Sequence, residues 1–182
     1  MSPLQPWTVL TSELAFDHPW AKVRRDVCQI DDGTLIDGYY YWEGGDFVQI
    51  CAITTDRQIV VVRQYKHGVR ELVRELPAGM VDARDLSPLA TAQRELREET
   101  GFESSMWIAL GTLNVSSAKS TTRAHVFLAL DARCAEQQEL DLTERIEVEL
   151  YTQPQIMELI TRGEIHDSNS LATYLLALPH LR

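Results

Sequence analysis

Between Gly79 and Phe102 the chain reads GMVDARDLSPLATAQRELREETGF. Ser87 followed by Pro88 is a helix start. The serine hydroxyl caps a free backbone N–H, and proline at the first helical position gives up a donor that has no partner there. Leu89, Ala92 and Leu96 recur at helical spacing and give one apolar face, and Gly101 is placed to end the helix. On the same helix Glu95, Glu98 and Glu99 stand at i, i+3 and i+4, so three carboxylates share one turn. Many such clusters are only a solvated acidic face. This one lies between Arg94 and Gly101, with a tight Leu76-Pro77-Ala78-Gly79 loop upstream, and its oxygens suit a hard divalent cation. The expectation is that the chain supplies no cation to balance the three carboxylates, so that a metal sits among them.

The segment resembles the Nudix box, G-x5-E-x7-R-E-U-x-E-E-x-G-U with U aliphatic or aromatic. Gly79, Arg94, Glu95, Leu96, Glu98, Glu99, Gly101 and Phe102 match. Two departures are plain: the stretch from Gly79 to Arg94 is one residue longer, and the first Glu is missing. Asp85 stands at the right distance from Gly79 to substitute for it. In the family that Glu mainly supports the loop, so the departure bears on loop geometry more than on metal binding. The resemblance continues through Asp46-Phe47-Val48, Val62-Arg63-Gln64-Tyr65-Lys66-His67-Gly68 and Glu75-Leu76-Pro77-Ala78-Gly79. With the tail from Ile146-Glu147-Val148 through Gly163-Glu164-Ile165, these segments look like the ADP-ribose pyrophosphatase, or nucleoside diphosphate sugar hydrolase, branch. Together they cover most of the chain from about Gly38 onward.

Composition sets the bounds. The 182 residues fit one ordinary core, and 45% apolar with 24% charged residues is a globular balance. A formal net charge of −10 argues against a nucleic-acid partner, whose backbone calls for a basic surface. It leaves room for a phosphorylated small molecule if metal ions bridge the repulsion. Cys28, Cys51 and Cys134 show no metal spacing and read as free thiols of a reducing cytoplasm. No apolar run reaches membrane-spanning length, and the first residues lack the basic start and apolar stretch of a signal peptide. A cytoplasmic protein without a membrane partner is expected.

Residues 20–30 and 33–42 alternate as strands around the Asp31-Asp32-Gly33 turn, and 47–54 and 58–64 form the next pair. A short strand over 70–76 leads into the Pro-Ala-Gly loop. After the acidic helix come strands over 107–114, 123–130 and 146–151, a polar connection over 137–145, and helices over 154–162 and 168–178. The Ser/Thr-rich stretch from Ser116 to Thr122 reads as a mobile loop. This order makes a mixed α/β fold. The resemblance implies an α/β/α sandwich with a mixed sheet, plus a small N-terminal antiparallel β-sheet. It further implies that residues 1–45 swap between the subunits of a homodimer, with 46–182 as the hydrolase domain.

The resemblance implies metal-dependent hydrolysis of the pyrophosphate bond of a nucleoside diphosphate sugar, giving a nucleoside monophosphate and a sugar phosphate. Mg²⁺, or Mn²⁺, would be held by Glu95, Glu98, Glu99 and the backbone carbonyl of Ala78. Arg94 would orient the box glutamates. Glu98 and Glu99 would share the catalytic work with a loop acid. Anchoring on Ile146-Glu147-Val148 makes Glu144 the best match for that acid, with Glu139 and Asp141 next; a merely solvated acidic loop is the alternative. For the substrate, the candidates are Arg63, Gly79, Met80 and one ring of Tyr39-Tyr40-Tyr41-Trp42, here taken as Tyr41. Arg63 and Lys66 suit either a phosphate contact or a surface ion pair. ADP-ribose is the best single guess. Members that prefer it usually carry a proline about sixteen residues past the box, where this chain has Ser116-Ser117-Ala118-Lys119-Ser120. The alternatives are another nucleoside diphosphate compound such as GDP-mannose, a dinucleoside polyphosphate, and a non-catalytic nucleotide-binding module.

Overall fold

The computed structural model describes residues 3–181 apart from 136, 141 and 143. Contacts divide the chain into two units. One holds the residues up to Gly45 together with Asn114–Arg123, and the other holds Asp46–Leu113 and Ala124 onward.

In the first unit β1 (Thr8–His18), β2 (Ala21–Gln29) and β3 (Leu35–Trp42) form an antiparallel sheet in sequence order. All eleven residues of β1 are exposed, including Val9, Leu10, Leu14 and Phe16. Neither face is buried, so no inside-out alternation marks this strand, and the sequence reading passed over it. The Ser116–Thr122 stretch, expected to be a mobile loop, is fastened to the end of β3. The Trp42 N–H donates to the Lys119 carbonyl at 2.8 Å, and the Thr121 N–H donates to the Trp42 carbonyl at 3.0 Å. The Tyr39 hydroxyl donates to the Ala118 carbonyl, and the Lys119 ammonium lies 5.3 Å from the centre of the Tyr39 ring.

The second unit is built on β4 (Phe47–Thr54), β5 (Gln58–Lys66), β6 (Glu71–Glu75), β7 (Ala78–Met80), β8 (Phe102–Glu103), β9 (Met106–Asn114), β10 (Arg123–Cys134) and β11 (Ile146–Thr152). The central order is β11-β5-β4-β10-β8, with β6 on β5, β7 on β4 and β9 on β10. β10 runs parallel to β4 while the other pairs with a defined register are antiparallel, so the sheet is mixed. β4 and β5 are apolar almost throughout because both their faces are covered. Val48, Ile50 and Ala52 join Val60, Phe127 and Ala129 against Ala92 and Leu96 of α1 (Pro88–Thr100). Cys51, Ile53, Ile59 and Val61 turn the other way, toward Ile156 of α2 (Gln153–Thr161) and Tyr174 and Ala177 of α3 (Ser168–Ala177). One helix on one face and two on the other make the α/β/α sandwich. Among the described residues no helix is long and apolar enough to cross a membrane.

Most elements fall within a residue or two of their expected ends. The short strands β7 and β8 were missed because two or three residues are too few to show a period, and β10 runs four residues further than expected.

Candidate active site

Helix α1 begins and ends as its sequence dictates. The Ser87 hydroxyl accepts from the Ala90 N–H at 3.2 Å, Pro88 opens the helix, and Gly101 closes it in the left-handed conformation at φ 73°. Leu96 and Ala92 are fully buried on the sheet, which turns the acidic side of the same helix toward the Pro77–Met80 segment.

That segment is pinned from below by two buried polar side chains. The Ser170 hydroxyl accepts from the Leu76 N–H at 2.9 Å, and the Gln49 amide donates to the Leu76 carbonyl at 2.7 Å. The Ile50 N–H donates to the Pro77 carbonyl at 2.9 Å. With these fixed, the Ala78 N–H donates to the Glu99 carboxylate at 3.1 Å. Gly79 lies against Glu95: a Cβ at this position would stand 1.9 Å from the Glu95 carboxyl carbon. Glycine is needed here for its missing side chain, since its φ is not positive.

Arg94 is the organiser. Its guanidinium donates to Glu98 at 2.7 Å and to Asp85 at 3.0 and 3.4 Å, and it pairs with Glu95 at 2.9 Å. Asp85 also accepts from the Thr91 hydroxyl at 2.9 Å, and Arg94 holds its carboxyl below the usual range. Asp85 thus ties the loop between the box glycine and helix α1 to the helix, the supporting work expected of the absent Glu. The expectation that the glutamates have no cation from the chain is corrected: Arg94 balances two of them. The resemblance implied that Arg94 orients the box glutamates, and it is paired with Glu95 and Glu98.

The charge is still in excess. Burial pushes the Glu99 carboxyl up to about 8, with Glu95 and Glu75 adding repulsion against the Ala78 N–H and the Lys66 ammonium. Burial pushes Glu95 up to about 7, opposed by Arg94 and reinforced by Glu98 and Glu144. Buried carboxylates with raised proton affinity gain most from a positive charge. Among the described residues no three His, Cys, Asp or Glu side chains surround a common point, since Arg94 draws Glu95 and Glu98 to itself while Glu99 bends to Ala78. The donor set nevertheless fits a hard divalent cation. It is all oxygen and under-neutralised, and one of its carboxylates, Glu95, fills the space that a side chain at Gly79 would take.

The structure therefore brings Ala78, Gly79, Glu95, Glu98 and Glu99 together, with the Glu144 charge acting on Glu95. Glu144 is half-buried whereas Glu139 is exposed; Asp141, the other alternative loop acid, lies outside the described residues. Arg63 is not brought to this cluster: it pairs with Glu147 across β5 and β11 at 3.3 Å, the ion-pair alternative of its reading. Met80 ends β7 with its side chain exposed. Tyr41 belongs to the first unit, on β3, where burial and the Asp26 charge raise its hydroxyl above the ordinary tyrosine range. Two contributors went unassigned in the sequence reading. Glu75 is a buried carboxylate held by Lys66 at 2.8 Å and Gln64 at 3.0 Å, and it acts on Glu99. It borders a cavity of about 440 Å³ lined by Lys66, Val73, His166 and Asp167. The available signal was an acid in a strand two residues from the Pro-Ala-Gly loop. The second is Gln138, whose amide reaches the Glu99 and Ile146 carbonyls.

Comparison with known proteins places the arrangement. A NUDIX domain model matches residues 47–174, and a model of the nucleoside diphosphate sugar hydrolase N-terminal domain matches residues 7–42. An ADP-ribose pyrophosphatase of Mycobacterium tuberculosis is 32% identical over 158 residues, 84% of this chain and 74% of that protein. One from Bacillus subtilis is 30% identical over 124 residues, 68% of this chain and 66% of that protein. A crystal structure of an ADP compounds hydrolase superposes with a TM-score of 0.88 over 100% of this chain and 97% of its own, at 20% identity, and so shares the fold. The chain belongs to the Nudix hydrolase family, in the branch that joins the Nudix domain to a nucleoside diphosphate sugar hydrolase N-terminal domain.

Proposed function

We propose that the protein hydrolyses the pyrophosphate bond of a nucleoside diphosphate sugar, with ADP-ribose the leading candidate, to a nucleoside monophosphate and a sugar phosphate. The observation that carries this reading is the cluster of Glu95, Glu98 and Glu99 packed against Ala78 and Gly79. The names of the relatives support the substrate class. Ala78 through its carbonyl, with Glu95, Glu98 and Glu99, would hold Mg²⁺, or Mn²⁺. When bound, such an ion neutralises phosphate oxygens and lowers the pKa of water.

The rest is the work of the chain. Gly79 leaves room for the Glu95 carboxylate beside the loop. Arg94 fixes Glu98 and, through Asp85, the approach to helix α1. Glu144 is the acid that accepts a proton from the attacking water, and Glu98 and Glu99 align the reacting groups. Met80 lies along the substrate, Arg63 contacts a phosphate, and Tyr41 stacks on the base. Incubation with ADP-ribose should release AMP and ribose 5-phosphate in equal amounts. Binding without release would favour the non-catalytic alternative.

The exposed apolar side chains of β1 support a second proposal, that residues 1–45 exchange between the subunits of a homodimer. An edge strand that shows Val9, Leu10, Leu14 and Phe16 to solvent is an invitation to pair. Sedimentation at micromolar concentration should give a dimer; a monomer would count against the exchange.

A further inference from the structure

The last carbonyls of a helix have no partner inside it. In α1 they are met by a segment that the sequence reading treated only as a source of acid. Arg97 accepts from the Gly101 N–H at 2.8 Å, within the turn. Glu98 accepts from the backbone N–H of Glu139 at 2.9 Å, and Gly101 from the backbone N–H of Ala135 at 2.9 Å. Between these, Glu99 accepts from the side-chain amide of Gln138 at 2.5 Å. The two residues that carry the central carboxylates are thus capped by two successive residues of the connection between β10 and β11.

Gln138 reaches further. The same nitrogen donates to the carbonyl of Ile146, the first residue of β11, at 3.2 Å. A side-chain amide nitrogen carries two hydrogens, so one group can serve two carbonyls. One end of this bridge is on the acidic helix. The other is two residues past Glu144, whose charge acts on Glu95. One side chain thus ties helix α1 to the start of β11, and Glu144 lies in the sequence between Gln138 and Ile146.

We infer that Gln138 is a positioning residue: its amide, shared between the Glu99 and Ile146 carbonyls, holds the connection across the end of helix α1 and sets the loop acid Glu144 against the box glutamates. The inference rests on the reading of those glutamates as the hydrolytic site. Gln138 touches no reacting atom; it acts through Glu144. Leucine keeps the bulk of glutamine and removes both donors. Glutamate sets an oxygen against two carbonyl oxygens.

Two measurements test it. In the first, hydrogen exchange is followed in the substrate-free protein. Gln138→Leu should speed exchange of the Glu139 amide by about tenfold or more, because its acceptor on Glu98 is no longer held in register. Unchanged protection would overturn the clasp whatever the enzyme's substrate. The second is a double-mutant cycle in steady-state hydrolysis of ADP-ribose. Gln138→Leu should lower kcat about 10- to 100-fold with KM changed less than about threefold, as expected when the support of a catalytic group is lost. Added to Glu144→Gln it should cost little more, since both changes remove the same contribution. Losses that multiply in full would assign Gln138 a structural role only and overturn its action through Glu144. If the wild type released no products while the exchange result held, the clasp would stand and the assigned reaction would fall.

Discussion

Glu98→Gln and Glu99→Gln are expected to lower kcat by about 10²–10⁴, the range for loss of a group that serves proton transfer or holds the ion. The substitutions are nearly isosteric, so packing on the sheet is kept. Their effect on stability separates function from fold. Glu99 has its carboxyl raised to about 8 in the folded chain, far above an ordinary glutamate. A raised acid binds its proton more tightly in the folded than in the unfolded state. Its stabilising contribution is therefore full below about pH 4.5, and is lost as pH rises through 8. Glutamine removes that loss. In chelator, Glu99→Gln should match the wild-type melting temperature near pH 5 and exceed it by a few degrees, about 3 °C or more, near pH 8.5. Glu144→Gln should lower kcat by a similar but smaller factor with KM nearly unchanged, while Glu139→Gln should be close to silent. Equal behaviour of these last two would show that Glu144 is not the loop acid.

Gly79→Ala is expected to lower kcat by about 10² while leaving the fold intact. The backbone at Gly79 is not in the left-handed region, so alanine strains nothing there, and loss of glycine freedom in the unfolded chain favours folding slightly. The atoms nearest the new methyl are the far end of the Glu95 side chain, its carboxyl carbon at 1.9 Å. That end can swing away at little cost in stability, but it leaves its place beside Gly79, and displacement by about 1 Å is enough for such a loss. A melting temperature within about 3 °C of wild type, together with the fall in kcat, is the expected pair. Wild-type activity in this variant would mean that the position of Glu95 beside the loop is not needed.

How far the sequence could be read depends on how local each feature is. Ser87, Pro88 and Gly101 mark the limits of α1 through bonds within four residues, and all three act as expected. The apolar runs of β4 and β5 show that both faces are covered. Neighbours distant in the chain were less accessible. Ser170 lies 94 residues from the Leu76 N–H it accepts from, and Gln138 lies 39 residues from Glu99. Neither has a periodic or charged signature. β1 was missed for the opposite reason: it buries nothing, so burial left no pattern to find. Within the site, the glutamates were legible from helical spacing. What spacing could not show was that Arg94 also reaches back to Asp85, nine residues earlier and outside the helix. For Arg63, read as suiting either a phosphate or an ion pair, the strand neighbour Glu147 supplies the ion pair.

Whether the clustered carboxylates of helix α1 work with a divalent cation to split the pyrophosphate of a nucleotide sugar is open to one direct measurement. Initial rates are taken on ADP-ribose, and on a panel of other nucleoside diphosphate sugars, in Mg²⁺, then in excess EDTA, then after Mg²⁺ is restored. The expected result is release of a nucleoside monophosphate and a sugar phosphate in Mg²⁺, none in EDTA, and recovery on restoring the ion. Undiminished turnover in EDTA, or no turnover of any nucleotide sugar with Mg²⁺ present, would contradict it.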